Sequence, residues 1–420
     1  MFIGRVMKTE NYSPLNPIKK VFSGPPGVEA SMCLCLPPEV SLFEPQSGVE
    51  TSVVQARQDH DRMREAFEHY GIQSFNMREI IGREIVKRCR LPFRSKDQLL
   101  RELESRSLFF LRQYDISLNF DRLMQEMEVL LDQDISSMGL DPALAINAVL
   151  TNVIDHQGNY KTFNPNLPPA GNFLFWRDTN HVTADIMGTH KMFYSIRDQE
   201  VYLAEIAFDS LGIKYHHMML GRNGNIEGGD SLPMEINNQL FALIGTAERT
   251  TWEGVEAWYE LHEKSFSPSG QGITPLVVEG PHSNTQDQMH LDTYAQQVAP
   301  NTIIHCGEIS SNRNVSILTR KNGVIVKVKI DNLYNGVFSE WIERNATNVY
   351  DMTRKEQLNY APNVLVHGSD SKNTTVFTTR DGTPEVTRFI EQHAIEVVKL
   401  SMNELTKFYG GAHCATSEVR

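Results

Sequence analysis

The spacing of hydrophobic residues near the start of the chain predicts alternating strands and helices. Ile18–Phe22 has the composition of a short strand and is followed by a turn rich in glycine and proline. Over residues 53–70 the apolar residues recur at helical spacing, and Gly71 follows as a C-terminal cap. Ile72–Ile81 is then expected to form a second strand. This order is typical of an α/β fold.

The pattern changes over residues 83–154, where helix signals follow one another without a clear strand. Ser95 and Asn119 each stand as N-caps before a leucine-rich stretch, and Asp141-Pro142 opens a further helix. The predicted division is a catalytic α/β part over 1–82 and 155–420 and a helical insertion subdomain over 83–154.

Strand and helix signals alternate again from Asn172 onward. Thr250 with Glu253 forms a predicted capping box, and Thr383-Pro384 predicts the start of another helix. Asn322-Gly323 separates two apolar runs, which predicts a β-hairpin. The second α/β region therefore continues to the C-terminal end.

The composition is that of an ordinary globular protein. The chain has 420 residues, of which 40% are hydrophobic, enough to bury a large core. Its formal net charge of −12 argues against nucleic acid or an anionic membrane as a partner, and favours small cationic substrates. No stretch approaches the roughly 18 apolar residues that span a bilayer, and the first residues do not resemble a signal peptide.

The five cysteines are odd in number and widely scattered, which favours a reducing cytoplasm over a disulfide framework. Cys33 and Cys35 lack a second cysteine pair, so a zinc site is not expected, and alternation along a strand explains their spacing. The chain is therefore expected to be cytoplasmic.

The candidate nucleophile is Cys414, which follows the tight turn that Gly410 and Gly411 allow. A thiolate attacks only where neighbouring groups favour its charged form, and the polar neighbours His413 and Thr416 suit such a site. The alternative is a buried, inert cysteine, which is common in protein cores.

Three further polar clusters stand at or after predicted strands. Asp178 ends an apolar run, and Glu227 and Asp230 flank a Gly-Gly pair. In a strand, His290 and Asp292 would share one face. The alternatives are a surface ion pair between Arg177 and Asp178 and a metal site at His290 and Asp292, neither of which explains the whole set.

A thiol, an imidazole and several carboxylates suit attack on an electrophilic carbon of a cationic substrate. A guanidinium is planar, carries five N–H donors and stays protonated, so its recognition requires carboxylates along its edges. Papain-like proteases also pair cysteine with histidine, but they would not need this number of acids.

The set of motifs resembles that of the arginine deiminases of the guanidino-group-modifying superfamily. The motifs occur in the same order over nearly the whole chain, and the helical stretch has a counterpart in that family. The segments that carry the resemblance are Phe175–Asp178, Glu227–Asp230, Gly245–Arg249, Met289–Thr293 and Gly410–Cys414.

The resemblance implies a five-bladed, pseudo-symmetric α/β propeller of ββαβ modules with the active site on its axis. It also implies hydrolysis of L-arginine to L-citrulline and ammonia without metal or cofactor. Asp178 and Asp292 would hold the guanidinium, Cys414 would attack its central carbon, and His290, oriented by Glu227, would shuttle protons.

By the same resemblance, a second set of residues would bind the amino-acid end and alkyl chain of arginine. Agmatine, which lacks the carboxylate, would then be a poor substrate. The residues are Asn172, Arg197 and Arg249 for the amino-acid end, Phe175 for the alkyl chain and Asp230 for either substrate contact or the turn.

Three features depart from the family pattern. Glu404–Tyr409 replaces an arginine-rich loop, Leu42–Pro45 lacks an acidic pair, and the tail Ala415–Arg420 is similar to that of amidinotransferases. Amidino transfer to an amine and dihydrolysis to ornithine therefore stay open as alternative reactions. The oligomeric state also stays open, and a homo-oligomer is one alternative. A catalytically inactive binding module is not favoured, because every expected catalytic residue type is present.

Overall fold

A computed structural model describes residues 13–41, 51–164, 167–221, 223–267, 272–281, 286–330, 336–370, 373–379, 383–394 and 396–420. Leu42–Pro45, where the sequence departs from the family pattern, lies outside these residues. So do most of the N-terminal residues that do not resemble a signal peptide. None of the described helices is both long and apolar enough to cross a bilayer.

The described residues form seventeen strands and fourteen helices. The strands are β1 (Lys20–Ser23), β2 (Gln73–Asn76), β3 (Asn180–Thr183), β4 (Ile186–Thr189), β5 (His216–His217), β6 (Ser231–Ile236), β7 (Gln239–Thr246), β8 (Ile273–Glu279), β9 (Ala295–Ala299), β10 (Thr302–His305), β11 (Asn314–Lys321), β12 (Val324–Val328), β13 (Asn348–Asp351), β14 (Leu365–Asp370), β15 (Asn373–Thr379), β16 (Glu396–Leu400) and β17 (Thr416–Val419). The helices are α1 (Val28–Cys33), α2 (Pro38–Ser41), α3 (Val53–His69), α4 (Met77–Arg88), α5 (Lys96–Gln113), α6 (Phe120–Met138), α7 (Leu140–Leu150), α8 (Asp198–Ser210), α9 (Trp252–His262), α10 (Gly307–Ser310), α11 (Phe338–Asn345), α12 (Arg354–Leu358), α13 (Pro384–His393) and α14 (Asn403–Thr406).

These strands form five sheets with one shared plan, and the fold is mixed α/β. In each sheet two antiparallel strands are joined by a third, parallel strand, and the connection to that strand contains at least one helix. The sheets are β3-β4-β5, β6-β7-β8, β9-β10-β13, β14-β15-β16 and β17-β1-β2. The hairpin β11-β12 extends the second of them to five strands, and no closed sheet forms among the described strands.

The fifth sheet joins the two ends of the chain. Strand β17 pairs antiparallel with β1, so that Val21 faces Glu418 and Phe22 faces Ser417, and β2 then pairs parallel with β1. The ββαβ plan of this sheet is therefore complete only when residues from both ends meet. This pairing brings the segment before β17, which carries Cys414, against the rest of the α/β core.

Several local predictions are confirmed. Ser95 and Asn119 cap helices α5 and α6 with their side-chain oxygens. Gly71 has a φ of +74°, as a residue after a helix end requires, and Asn322-Gly323 forms the turn between β11 and β12 with positive φ at both positions.

Other local predictions are wrong. The strand expected over Ile72–Ile81 ends at Asn76, whose side chain accepts N–H groups from the first turn of α4 and so starts a helix. Cys33 lies in helix α1 rather than in an alternating strand. Thr251 rather than Thr250 caps α9, one residue later than predicted.

The helices over 83–154 share a hydrophobic core with the sheets. Leu99 of α5, Leu130 of α6 and Ile146 of α7 belong to the same buried cluster as Phe22 of β1 and Phe208 of α8. Helix α4 also crosses the predicted boundary between residues 82 and 83. The division into two domains stays a prediction.

Candidate active site

Each of the five sheets is preceded by a short segment that supplies one polar residue to a common buried region. These residues are Asp178 before β3, Asp230 before β6, Asp292 before β9, Asn363 before β14 and Cys414 before β17. Hydrogen bonds and ion pairs connect these segments with one another.

Three of the five segments are 3-10 turns rather than the strands or strand ends that the sequence predicted. Turns cover Trp176–Thr179, Gly228–Asp230 and Leu291–Thr293, each with its main chain folded back by an i to i+3 hydrogen bond. Apolar side chains in these turns are buried, so their composition resembles that of a strand. His290 and Asp292 therefore do not share a strand face.

Cys414 lies at the centre of the site and is only 2% exposed. The amide oxygen of Asn363 accepts the backbone N–H groups of Gly411 and Cys414 at 3.0 and 2.9 Å, and its nitrogen lies 3.0 Å from Sγ. A Cβ on Gly410 would lie 2.2 Å from the ring of Phe175, so only glycine permits this packing. The turn thus presents the sulfur toward the acidic residues.

The electrostatic surroundings keep the resting thiol protonated. Burial raises the pKa of Cys414 well above its usual range, and the carboxylates of Asp292 and Asp178 raise it further. The N–H groups of Asn363 and Gly411 act in the opposite direction. A cation placed beside the carboxylates would reduce their effect and favour the thiolate.

His290 is fully enclosed between two carboxylates. Its Nε2 lies 2.9 Å from Oε2 of Glu227, and its Nδ1 lies 3.7 Å from Oδ1 of Asp178. Burial lowers the pKa of His290, but the carboxylates of Asp178 and Glu227 outweigh burial and raise it to about 9. The imidazole is therefore protonated at neutral pH.

The Gly-Gly pair before β6 permits this close approach. A Cβ on Gly229 would lie 2.6 Å from Nδ1 of His290, and a Cβ on Gly228 would lie 1.9 Å from the carbonyl oxygen of Asn180. Both glycines are needed for space rather than for positive φ.

Glu227 stays ionised in a buried position because cations surround it. Burial raises its pKa, but Arg249 and His290 outweigh burial and lower it well below its usual range. Nη1 of Arg249 lies 3.3 Å from Oε2 of Glu227, and its guanidinium lies 4.6 Å from the ring centre of Tyr194.

Arg197 is also held by protein carboxylates. Its Nη1 donates to Oδ2 of Asp178 at 2.9 Å, and its Nε and Nη2 donate to Oε2 of Glu200 at 3.1 and 2.9 Å. All three side chains are buried. Arg197 therefore pairs with Glu200 and Asp178 in an enclosed position and not on the surface.

Two of the buried carboxylate oxygens that have no hydrogen-bond partner among the described residues belong to this site. They are Oδ1 of Asp178 and Oδ1 of Asp292. The other oxygen of Asp292 accepts from Nδ1 of His413 at 2.7 Å and lies 3.6 Å from Sγ of Cys414. Buried carboxylate oxygens without donors are costly unless a ligand supplies N–H groups.

Asp230 forms hydrogen bonds that hold two turns of the site together. Its Oδ2 accepts from Oγ1 of Thr250 at 2.7 Å, and its Oδ1 accepts from the backbone N–H of Leu291 at 3.2 Å. Burial raises the pKa of Asp230 to about 6. Of the two roles expected for Asp230, the structure shows contacts that hold the turn.

Phe175 lies beside Gly410 of the nucleophile turn, and its backbone N–H donates to the carbonyl oxygen of Asn172 at 2.8 Å. Asn172 belongs to the 3-10 turn Gly171–Leu174, and Phe175 joins that turn to the one carrying Asp178. Both are buried. The structure therefore brings all ten predicted site residues into one region.

Arg177 does not pair with Asp178 on the surface. Its side chain is buried, forms an ion pair with Glu418 of β17 and donates to the carbonyl oxygen of His413. The alternative of a surface pair is therefore wrong, because Arg177 and Asp178 are both buried and pair with different residues. Arg177 instead ties the nucleophile segment to the turn before β3.

Among the described residues, Asp178, Glu227 and His290 form the one group that could hold a metal ion, with ligand atoms within 4.8 Å of one another. The geometry does not favour an ion there. His290 bonds directly to Glu227, and Arg197 and Arg249 already supply positive charge to Asp178 and Glu227.

The sequence reasoning missed Asn363 and Thr250 as site residues and underrated His413. Asn363 is a single polar residue before an apolar strand. This is a weaker signal than the clusters of polar residues in the other segments. Thr250 has a capping pattern, but its hydroxyl donates to Asp230 and accepts from the backbone of Glu227.

Sequence comparison finds relatives for most of the chain. The family model described as arginine deiminase matches residues 49–420. The arginine deiminase of Borreliella afzelii is 24% identical over 294 residues, which cover 68% of this chain and 66% of that protein. The aligned part is thus just under two thirds of that relative. The arginine deiminase of Staphylococcus epidermidis is 22% identical over 389 residues, covering 87% of both chains.

Solved structures share the fold. The N-terminal domain of ArgZ, described as an arginine dihydrolase in cyanobacteria, has a TM-score of 0.51 at 10% identity over 95% of this chain and 97% of that chain. DDAH from Pseudomonas aeruginosa, complexed with citrulline, has a TM-score of 0.50 at 12% identity, covering 96% and 100%.

Proposed function

This chain belongs to the arginine deiminase family, whose members are hydrolases of the guanidino C–N bond, and we propose that it converts L-arginine to L-citrulline and ammonia. The observation that carries the proposal is the meeting of Cys414, His290 and two carboxylates with unpartnered oxygens in one buried region. No metal or cofactor is required.

The guanidinium would bind between Asp178 and Asp292. Their unpartnered oxygens accept N–H groups, and a planar cation with five donors supplies several at once. Its positive charge would also offset the two carboxylates that raise the pKa of Cys414. Substrate binding and thiol activation are therefore coupled.

Sγ of Cys414 would attack the central guanidinium carbon and form a carbon–sulfur bond. The thiol proton moves to the carboxylate of Asp292, whose Oδ2 lies 3.6 Å from Sγ. His290, protonated at neutral pH, gives its proton to the nitrogen as the C–N bond breaks, and ammonia leaves. The product of this half-reaction is a covalent thioether of the amidino group.

Water would complete the reaction. His290, now neutral, takes a proton from water, which adds to the thioether carbon, and the carbon–sulfur bond then breaks. The hydroxyl proton of this adduct passes to the departing sulfur, which gives citrulline and restores the thiol, and Asp292 releases the first thiol proton to solvent. Glu227 holds the imidazole through Nε2 and keeps its Nδ1 on the side of Asp178.

We propose that Arg249 and Asn172 contact the amino-acid end of the substrate, with Arg249 as the main carboxylate ligand, and that Phe175 lines its alkyl chain. The bond from Arg249 to Glu227 is long, at 3.3 Å, so its guanidinium is less committed than that of Arg197. Arg197 would act chiefly on Asp178.

At larger scale, we propose that the five ββαβ sheets surround one axis as a five-bladed propeller. The five segments that supply site residues occupy equivalent positions in their sheets, which supports this arrangement. Residues 83–154 would be a helical insertion, and the five free cysteines support a cytoplasmic location.

The test is to incubate the purified protein with L-arginine, with and without glycine, and to identify the products by mass. Citrulline with one ammonia supports the proposal. Ornithine without ammonia would indicate amidino transfer to glycine, and ornithine with two ammonias would indicate dihydrolysis. Cys306→Ser serves as a control for Cys414→Ser, because Cys306 is a second buried free thiol, near β10.

A further inference from the structure

Asn363 is a buried side chain that directs three of its four hydrogen bonds at the nucleophile segment. Its Oδ1 accepts the backbone N–H groups of Gly411 and Cys414 at 3.0 and 2.9 Å. Its Nδ2 lies 3.0 Å from Sγ of Cys414 and 3.3 Å from the carbonyl oxygen of Asp292. One amide therefore contacts both the turn and the sulfur.

The orientation of this amide follows from chemistry. The two backbone N–H groups can only donate, so the atom that faces them must be the amide oxygen. The opposite face then presents the NH₂ group, which can only donate, to the sulfur. A flipped amide would place donor against donor twice. The turn of residues 410–414 thus fixes an N–H group on Sγ.

The position of Asn363 in the fold supports a functional role. The segments before the first strands of the other four sheets supply Asp178, Asp230, Asp292 and Cys414. Asn363 is the residue supplied at the equivalent place by the remaining sheet, two residues before β14. Each of the five sheets thus contributes to the site.

We infer that Asn363 is a positioning residue that orients Cys414 and stabilises its thiolate. The inference rests on the proposed role of Cys414 as nucleophile. An N–H group facing sulfur favours the charged form, because a thiolate is a stronger acceptor than a thiol. In this site it opposes burial and the carboxylate of Asp292, both of which favour the neutral thiol.

The test measures the rate at which iodoacetamide alkylates Cys414 as a function of pH, read by mass on the peptide that contains it. The variants are Asn363→Ala, which removes both interactions, and Asn363→Asp, which keeps an acceptor for the two backbone N–H groups but puts a carboxylate against the sulfur. The matched control is Asn119→Asp, the same change at the N-cap of α6, where an acceptor is retained.

We expect the midpoint of the alkylation profile to rise by roughly one to two pH units in both Asn363 variants and to stay unchanged in Asn119→Asp. With arginine, kcat should fall by at least about tenfold while KM changes little. Profiles that overlay that of the wild type would overturn the inference, as would failure of both variants to fold. If only Asn363→Ala fails to fold, Asn363→Asp decides.

The alkylation readout needs no turnover. A shifted profile in a protein that forms no citrulline from arginine would refute the proposed function and leave the inference standing. Normal citrulline formation with an unshifted profile would refute the inference about Asn363 and leave the proposed function standing.

Discussion

At the scale of single residues, the sequence predicted the chemistry of the site better than its geometry. The types and order of Cys414, His290, Glu227, Asp178 and Asp292 were sufficient to predict a guanidinium site. The sequence could not show that Asn363 contacts the sulfur, because one asparagine before an apolar strand carries no distinctive pattern.

Cys414→Ser is expected to abolish citrulline formation and to leave the fold intact. A serine hydroxyl has a negligible alkoxide fraction near neutral pH, whereas its size is close to that of the thiol. Activity and thermal unfolding are measured together, with Cys306→Ser as the control that should keep its activity. Acid-quenched wild type should carry added mass from arginine on the Cys414 peptide. An active Cys414→Ser enzyme would refute the covalent mechanism.

The activity should depend on the proton of His290. Because the pKa of His290 is raised to about 9, kcat/KM should hold through neutral pH and fall as pH rises through about 9. His290→Ala should reduce kcat by about 10²–10⁴-fold. A pH–rate profile of His290→Ala with the same alkaline limb as the wild type would remove His290 from the proton transfers.

Selectivity for the carboxylate of arginine should depend on Arg249 more than on Arg197. Arg197 is committed to Asp178 and Glu200 by three hydrogen bonds, while Arg249 has two long contacts to Glu227, at 3.3 and 3.5 Å. We expect Arg249→Ala to raise KM for arginine by roughly 10- to 100-fold and to leave agmatine turnover nearly unchanged. Arg197→Ala should lower kcat for both substrates, because it frees Asp178.

If Arg197→Ala and Arg249→Ala change the ratio of arginine to agmatine kcat/KM equally, this division of roles is wrong. If the wild-type protein uses agmatine as readily as arginine, neither Arg197 nor Arg249 recognises the carboxylate of the substrate.

At the scale of elements, predictions succeeded where local side chains decide the structure. Ser95 and Asn119 cap their helices because each places an oxygen against a free N–H group three residues on. The predictions failed at the 3-10 turns before β3 and β9, where other parts of the chain bury the residues. Apolar composition alone does not distinguish a buried turn from a buried strand.

The packing of helices α1, α3, α4, α6 and α7 depends on a buried ion network. Arg78 donates to Glu29 at 2.7 Å and to Asp134 at 2.9 Å, and Arg57 donates to the other oxygen of Asp134. Burial raises the pKa of Asp134, but Arg78 and Arg57 outweigh burial and lower it to about 2. A Cβ on Gly27 would lie 2.3 Å from Arg78, so the loop before α1 is part of the arrangement.

Asp134→Asn should lower the free energy of unfolding by about 3–5 kcal/mol, because it leaves buried arginine charge without its partner. The matched control is Asp132→Asn on the same helix, whose exposed pair with Lys96 should be worth less than about 1 kcal/mol. Denaturant unfolding of both variants at neutral pH gives the comparison. Equal losses in the two variants would show that the network adds nothing beyond a surface pair.

At the scale of the whole molecule, the resemblance predicted more than periodicity could. The pairing of β17 with β1 joins residues about 400 positions apart, and no local pattern encodes such a contact. The sequence also gave no sign that neighbouring modules meet through histidines. His181 of β3 and His262 at the end of α9 face each other with their Nε2 atoms 3.0 Å apart, and the ring of His190 stacks on His181.

These three histidines should make the molecule sensitive to acid. Burial lowers the pKa of His181 to about 3, and burial together with neighbouring histidines lowers the pKa of His190 and His262 as well. The unfolded chain binds protons below about pH 6.5 while the folded chain stays neutral, so stability is full above that pH and is lost as pH falls toward 3. Each of these histidines should lower the free energy of unfolding by about 2 kcal/mol at pH 5 relative to neutral pH.

The check is the free energy of unfolding at pH 7.5 and pH 5 for wild type, His190→Phe and His69→Phe. Phenylalanine keeps a ring against His181 but cannot bind a proton, so His190→Phe should lose about 2 kcal/mol less than wild type between the two pH values. His69 is exposed at the end of α3 and serves as the matched control, with the wild-type pH dependence expected. A His190→Phe protein that weakens with falling pH as steeply as His69→Phe would show that the acid sensitivity comes from the carboxylates and not from the histidines between the modules.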